Sequence, residues 1–425
     1  MRFTTVVLEN FRGFRGVHEI VLHPELTVLA GLNGSGKSSV LDAAASCLSG
    51  MVSLLAGGQN TWFGNGDIAN VSVGSDRSEW SLSYVLGDDQ HEEGTRCTAP
   101  ARSLPSTQDV AAVLPGLMRL RQEAGDPQHV LPFFSYIHSS STRHAVTHLP
   151  GVSLPGRLIA YQHAFDSEAV QFEAFSSWFE QVENLENEEK IRWGNLGRQL
   201  PPLRAVRNAV RRFMGSLRDA EFGDLSVIRS FGDNPFQPPK GRLAVKKRSE
   251  QLFIEQLSDG ERRLILAVAD TARRMVVLNP KMSDALETPG ILLIDEIELH
   301  LHPQWQRTVV AALRAAFPKL QFVLATHAPA VLASVPNECV VVLKDGGVLA
   351  GQSQVYGRDP NTILSTVMDT PLRPDDVQAE LDALFSELDA HPRKAKNRIK
   401  RLEEKIGADD PDLVRARALL QLLAG

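Results

Sequence analysis

Gly31-Leu32-Asn33-Gly34-Ser35-Gly36-Lys37-Ser38 carries the most specific chemistry in this chain. It fits GxxxxGK[ST] at every position, the spacing of a loop that cradles phosphates. Glycines let backbone N–H groups wrap phosphate oxygens that a side chain would keep away, and the start of the following helix adds roughly half a positive charge. Lys37 is placed to reach β- and γ-phosphates and to act in catalysis, and the Ser38 hydroxyl to ligate Mg²⁺. Asn33, Gly34, Ser35, Gly36 and Ser39 complete the cradle. The implied ligands are ATP and Mg²⁺.

A second segment, Ile291-Leu292-Leu293-Ile294-Asp295-Glu296, is an apolar strand ending in two carboxylates. Asp295 suits a magnesium ligand acting through water, and Glu296 a general base that polarises the attacking water. A helix N-cap would explain the pair equally well in isolation. The phosphate loop elsewhere in the chain tips the reading toward catalysis. Leu257-Ser258-Asp259-Gly260-Glu261 stands just before a helical pattern. Ser258 with Glu261 makes an ordinary capping box, yet the same serine, Gly260 and the amides at the helix start could bind the γ-phosphate of ATP held by another subunit. Thr326-His327 follows an apolar run, where His327 could sense a γ-phosphate; a lone histidine at a strand end is more often structural. His300 and His302 suggest zinc, but no third ligand stands near them in sequence.

The elements that must hold these residues are legible at the two ends of the chain. Strands are expected over 4–8, 19–22 and Leu26–Ala30, with a turn through Arg12-Gly13-Phe14. Helical spacing over 38–48 places Val40, Leu41, Ala44 and Leu48 on one side. Further on, a helix over 260–278, a buried strand over 291–294, a helix over 303–317 and a strand over 321–325 alternate. Such alternation implies a mostly parallel sheet covered by helices. The stretch between about 50 and 239 gives weak signals, apart from an acidic helical run over 178–190. After residue 373 the tail reads as a two-helix appendage, with turns at His391-Pro392 and around 407–411.

With 425 residues the chain can build one large α/β core and a smaller appendage. Hydrophobic residues at 43% and charged residues at 23% are ordinary for a globular protein and argue against a disordered, coiled-coil or membrane protein. The first residues lack the apolar core and cleavage site of a secretory signal, and no run reaches the ~18 apolar residues of a bilayer span, so a cytoplasmic protein without membrane contact is expected. Cys47, Cys97 and Cys339 are too scattered for a disulfide framework and read as small buried hydrophobes. The net charge of -6 supplies no global pull toward nucleic acid. Two local basic stretches, Arg204, Arg207, Arg211 and Arg212, then Lys240, Arg242, Lys246, Lys247 and Arg248, read as solvated surface or as a DNA or RNA contact.

Taken together, Asn10-Phe11-Arg12-Gly13-Phe14, the phosphate loop, the segment at 257, the run from Ile294 to Pro303 and Thr326-His327-Ala328-Pro329 resemble the SMC/RecF-like, ABC-type AAA ATPases. Within them the set is similar to the stand-alone ATPases of bacterial phage-defence systems such as Septu and retron-linked cassettes. The resemblance implies an α/β ABC/SMC-like P-loop ATPase head with an inserted helical lid and a helical C-terminal appendage. Its parts would be 1–100 for the first half of the head, 101–245 for a mostly helical lid, 246–370 for the second half and 371–425 for the tail.

It further implies that Asn10 and Arg12 lie close to the nucleotide, that Ser258 to Glu261 form the signature, that Glu296 is the base and His327 the switch histidine, and that residues 299–303 form a D-loop packing across a dimer. Gln59 and Asp67 are the candidates for a Q-loop that is not legible. The implied partners are a second copy in a homodimer or higher homo-oligomer, and an effector encoded nearby, such as an HNH nuclease. Fewer than 100 residues follow the histidine motif, so the nuclease domain of the overcoming-lysogenization-defect enzymes is not expected here, nor is a long DNA-bridging coiled coil. A repair ATPase like RecF, acting on DNA, and an ATP-sensing scaffold with negligible turnover are the alternatives. A membrane transporter subunit is disfavoured by Asn10-Phe11-Arg12.

Overall fold

The computed structural model describes residues 1–56, 72–85, 92–100, 115–138, 154–217, 222–230, 240–349, 351 and 354–424. Strands β1 (Arg2–Glu9), β2 (Val17–Val21), β4 (Arg77–Val85) and β5 (Glu92–Pro100) form an antiparallel sheet in the order β2-β1-β4-β5. A second sheet contains β3 (Leu26–Ala30), β6 (Phe133–Ile137), β10 (Gly290–Ile294), β11 (Leu320–Thr326), β12 (Val340–Lys344) and β13 (Gly347–Val348) in the order β13-β12-β3-β11-β10-β6. All its pairings are parallel except that of β12 with β13. Strands β7 (Phe222–Ser230), β8 (Lys240–Lys247) and β9 (Glu250–Phe253) form a third, antiparallel sheet.

The two main sheets differ as their sequences require. β4 alternates buried and half-buried residues, as a strand with one covered face does. β3, β6, β10 and β11 are buried at every position, because parallel strands are covered on both faces. Helix α1 (Lys37–Leu55) touches β1, β4 and β5 of the antiparallel sheet and β6, β10 and β11 of the parallel one. Covered from two sides, it is buried at nearly every residue. By length and composition α1 could cross a membrane, but 89% of its apolar window is buried inside the protein. A core helix between two sheets accounts for that composition.

Several elements depart from the sequence reading. Residues 101–245, expected to be a mostly helical insertion, include α2 (Pro115–Glu123), α3 (Glu168–Arg192) and α4 (Pro201–Gly215), but also β6 in the central sheet and the strands β7 and β8. After α5 (Asp259–Leu278), the single helix expected over 303–317 is α6 (Pro303–Gln306) and α7 (Val309–Ala316), interrupted at Arg307 and Thr308. Short helices α8 (Pro329–Leu332) and α9 (Pro360–Thr366) follow.

Residues 361–425 form a compact unit of their own. After residue 373, where two helices were expected, it holds three, α10 (Asp375–Ala390), α11 (Pro392–Ile406) and α12 (Pro411–Ala424), because the turns at 391 and 407 each end a helix. Leu381, Leu384, Leu388, Ala395, Leu402, Leu413 and Ala416 make its core. Arg373 ties Asp410 and Asp412 at the entrance to α12.

Much of the positive charge in the two basic stretches is internally matched. Arg207 is buried and bridges Glu183 and Glu186 of α3, while Arg211 pairs with Asp224 and Arg212 with Asp284. Arg242 meets Glu255 and stacks on the Phe253 ring, and Lys247 meets Glu261. A buried arginine with two carboxylates is a structural tie, since leaving any member alone would strand a charge out of water.

Candidate functional site

Strand order builds the site. β11 lies between β3 and β10, and the three run parallel, so their C-terminal ends open side by side. β3 leads into residues 31–36 and α1, β11 into His327, and β10 into Asp295 and Glu296. At a parallel sheet's carboxyl edge the loops leave a crevice for ligands. Here it is a cleft of about 360 Å³ whose walls are Arg12, Asn33, Gly34, Gly36, Lys37, Ser38 and Ser39 on one side and Asp295, Glu296 and His327 on the other.

The loop needs its glycines. Gly31 has φ +152, and a Cβ there would sit 2.4 Å from the Leu343 carbonyl oxygen. Gly36, at φ +102, would drive a Cβ to 2.6 Å from the Phe14 ring. Lys37 is almost fully buried, and its Nζ donates to the carbonyl oxygens of Gly31 and Leu32, each at 2.8 Å. Burial lowers the ammonium pKa, opposed by the nearby Asp295, Glu298 and Glu296 carboxylates. Ser35 Oγ is buried and has no hydrogen-bond partner among the described residues. Buried hydroxyls are rarely left so, and a phosphate oxygen is the acceptor this loop is shaped to receive.

Across the cleft, the Ser38 hydroxyl donates to Asp295 Oδ2 at 2.8 Å. Glu296 has φ 51, a left-handed backbone that aims its side chain differently from a continuing strand. His327 is held by Glu298: its backbone N–H donates to Oε1 at 2.7 Å, and its Nδ1 stands 2.9 Å from the same oxygen. That hydrogen bond, with the Glu298 charge, raises the imidazole pKa above 6.5. Burial pushes Glu298 upward, but hydrogen bonds from the His327 ring and N–H outweigh it and hold the carboxyl below its usual range.

Of the expected residues, Asn10 does not line the cleft. Its Oδ1 accepts from the Gly16 N–H at 2.9 Å and its own N–H donates to the Gly16 carbonyl, closing the loop that presents Arg12. Ser258, Gly260 and Glu261 also lie outside these walls; Ser258 caps α5 with Glu261 in a capping box. His302 Nδ1 accepts from the Gln304 N–H at the start of α6. Gln59 and Asp67 fall outside the described residues.

Sequence reasoning overlooked four supporting residues. Asp42, buried in α1, receives Arg12 Nη1 on one oxygen and the Tyr136 hydroxyl on the other at 2.9 Å. A lone carboxylate one helical turn after Ser38 in an apolar helix was the available signal. Tyr136 and Glu298 gave none, since their partners are assembled only by sheet order. Arg263 of α5 was hidden among ordinary charged residues of a helix start.

Residues 5–98 match the family model "AAA domain", and 156–333 match "AAA domain, putative AbiEii toxin, Type IV TA system". The chain is 23% identical to the "Retron Ec83 probable ATPase" of Escherichia coli, over 97% of this chain and 85% of that protein. It is 24% identical to the "Retron Vc95 probable ATPase" of Vibrio cholerae serotype O1 biovar El Tor, over 95% and 86%. The chain is an ATPase. It also resembles the Septu protein PtuA of Bacillus mycoides, at 40% identity over 21% of this chain and 12% of that protein.

For this ATPase a magnesium ion is the implied companion of the nucleotide. The donor set fits a hard cation: a hydroxyl and a carboxylate, Ser38 and Asp295, face one another at the rim of the phosphate loop.

Proposed function

We propose that this ATPase binds Mg·ATP in the cleft and hydrolyses it as a subunit of a bacterial anti-phage defence complex, dimerising around the nucleotide and controlling a separate effector such as an HNH nuclease. The observation that supports the chemical part is the meeting of the β3, β10 and β11 ends, which brings residues 33–39, Asp295, Glu296 and His327 around one cleft. Residues 31–39 hold the triphosphate, with Lys37 leaving its two carbonyls for the β- and γ-oxygens. Arg12, anchored by Asp42, faces the nucleotide from the loop after β1, beside the phosphate loop. Ser38 and Asp295 hold the magnesium ion, which neutralises charge on the β- and γ-phosphates when bound.

Glu296 accepts a proton from the attacking water as it bonds to the γ-phosphorus; the bond to the bridging oxygen breaks and ADP leaves with inorganic phosphate. His327 contacts the γ-phosphate and reports its presence to Glu298. Ser258, Gly260 and the α5 amides close on the ATP of a second copy, completing a cleft that one chain leaves open. Catalysis here is positioning and charge stabilisation, so a lone subunit turns over slowly.

Similarity to two retron ATPases along nearly the whole chain supports the defence role. A cytoplasmic location accords with it. The experiment is phosphate release and light scattering with and without ATP, alone and with the product of an adjacent gene. ATP-dependent growth in mass, phosphate release and a co-eluting neighbour support the reading. Nucleotide binding with no phosphate release would make the protein a scaffold that senses ATP, and stimulation by DNA alone would make it a repair enzyme.

A further inference from the structure

Arg263 stands five residues into α5 from its capping serine, and only 6% of it is exposed. Its three guanidinium nitrogens are all engaged. Nε donates to Glu168 Oε1 at 2.7 Å, Nη2 to the Asp295 carbonyl at 2.9 Å and Nη1 to the Glu296 carbonyl at 2.5 Å. The backbone it grips is also held by the sheet at its ends and by one turn bond from the Leu299 N–H to the Glu296 carbonyl at 3.0 Å. The Asp295 N–H donates to Ile137 of β6 and the Ile297 N–H to Ala325 of β11. Between those points Glu296 adopts φ 51, a conformation that L-residues hold only when their surroundings impose it.

We infer that Arg263 is a positioning residue: it fixes the backbone turn that aims Glu296 into the cleft and ties that turn to the start of α5. The inference rests on Glu296 being the general base. Gly260 in the first turn of α5 also packs on the neighbouring loop, where a Cβ would meet the His300 carbonyl oxygen at 2.3 Å. A displacement at the head of α5 is therefore passed to residues 295–300 through two contacts rather than absorbed. Because that head is the part offered to a second copy's nucleotide, Arg263 makes turnover in a chain's own cleft depend on what its Ser258 touches. Glu168, the first residue of α3, is the third arm of the fork and brings α3 into the same linkage.

The test is Arg263→Lys in the full chain. Lysine keeps the charge beside Glu168, but its ammonium cannot reproduce a planar fork across two carbonyls. Misplacing a catalytic group by about 1 Å costs on the order of 100-fold in rate, so kcat should fall roughly 10- to 100-fold, with KM and the Kd for a fluorescent ATP analogue within about twofold. If Arg263 acts through Glu296, Arg263→Lys should cost nothing further in a Glu296→Gln background. Multiplicative losses in the double variant, or an unchanged kcat in the single one, overturn the inference. Should Arg263→Lys fail to fold by thermal melting, Glu168→Ala removes the Nε acceptor and frees the guanidinium to turn away from the two carbonyls; a fall in kcat without a change in KM supports the linkage, and full turnover overturns it. If Glu296→Gln itself retains full turnover, the base assignment falls and the inference with it. A dead Glu296→Gln beside a fully active Arg263→Lys removes the inference alone.

Discussion

The Ser38 hydroxyl donates to Asp295 Oδ2 at 2.8 Å across 257 residues of sequence. One residue opens α1 and the other ends β10, and neither has a role without the other. Asp295→Asn keeps the shape of the side chain and removes its charge. Activity should fall by at least about 100-fold, the scale of a lost charge-stabilising contact, while nucleotide binding without magnesium stays near its native value. A magnesium titration of the ATPase rate checks this, and a normal magnesium optimum in the variant would count against the ligand assignment.

Lys37 gives its ammonium to two carbonyls of its own loop in the structure. Lys37→Met should raise the Kd for ATP by about 10- to 100-fold, given ~1.5–3 kcal/mol for hydrogen bonds from a charged group. Equilibrium binding of a fluorescent ATP analogue measures it. Unaltered affinity would mean the ammonium stays on Gly31 and Leu32 with nucleotide bound.

The pair His327 and Glu298 sets a pH dependence. His327 titrates above its ordinary 6.5, so its contribution to stability is complete below the unfolded value and is lost as pH rises through the folded one. Glu298 titrates below its ordinary 4.5, so its contribution is present above that value and is lost as pH falls through the folded one. Stabilisation by the pair should therefore be greatest between about 4.5 and 6.5 and decline as His327 loses its proton. NMR titration of the His327 ring should show a midpoint above 6.5 that moves down in Glu298→Gln. An unmoved midpoint would place the cause elsewhere.

Gly260→Ala sets two effects against each other. Alanine in a helix is favoured over glycine by about 1 kcal/mol. Its Cβ would stand 2.3 Å from the His300 carbonyl oxygen and 2.9 Å from its carbon, both backbone atoms. Overpacking of this kind costs roughly 1–3 kcal/mol, so the clash should win and the variant melt below the native chain. A higher melting temperature would show that the 300 loop yields freely.

The residues with local grammar were legible. The phosphate loop and the five-residue strand before it need only a glycine pattern and an apolar run, and both stand where expected. β6 was not legible: it is a short apolar stretch in a region of weak signals, and only its pairing with β10 makes it part of the central sheet. The tail holds one helix more than its spacing suggests, because the turns at 391 and 407 each end a helix. Asn10 was matched to a motif as a nucleotide neighbour, whereas its side chain closes the loop that carries Arg12.

The sequence alone determined that this chain has a glycine-rich GxxxxGK[ST] loop, an apolar strand ending in Asp295 and Glu296, and a capped helix at Ser258, because each follows from neighbours within a few residues. Tertiary structure decided which of them share a cleft. Strand order set β11 between β3 and β10, bringing Ser38 to Asp295 and His327 to the same rim, and it left Ser258 outside. It also supplied Asp42, Glu298 and Arg263 as supports, since a buried charge finds its partners through the packing of distant elements and no local pattern encodes that meeting.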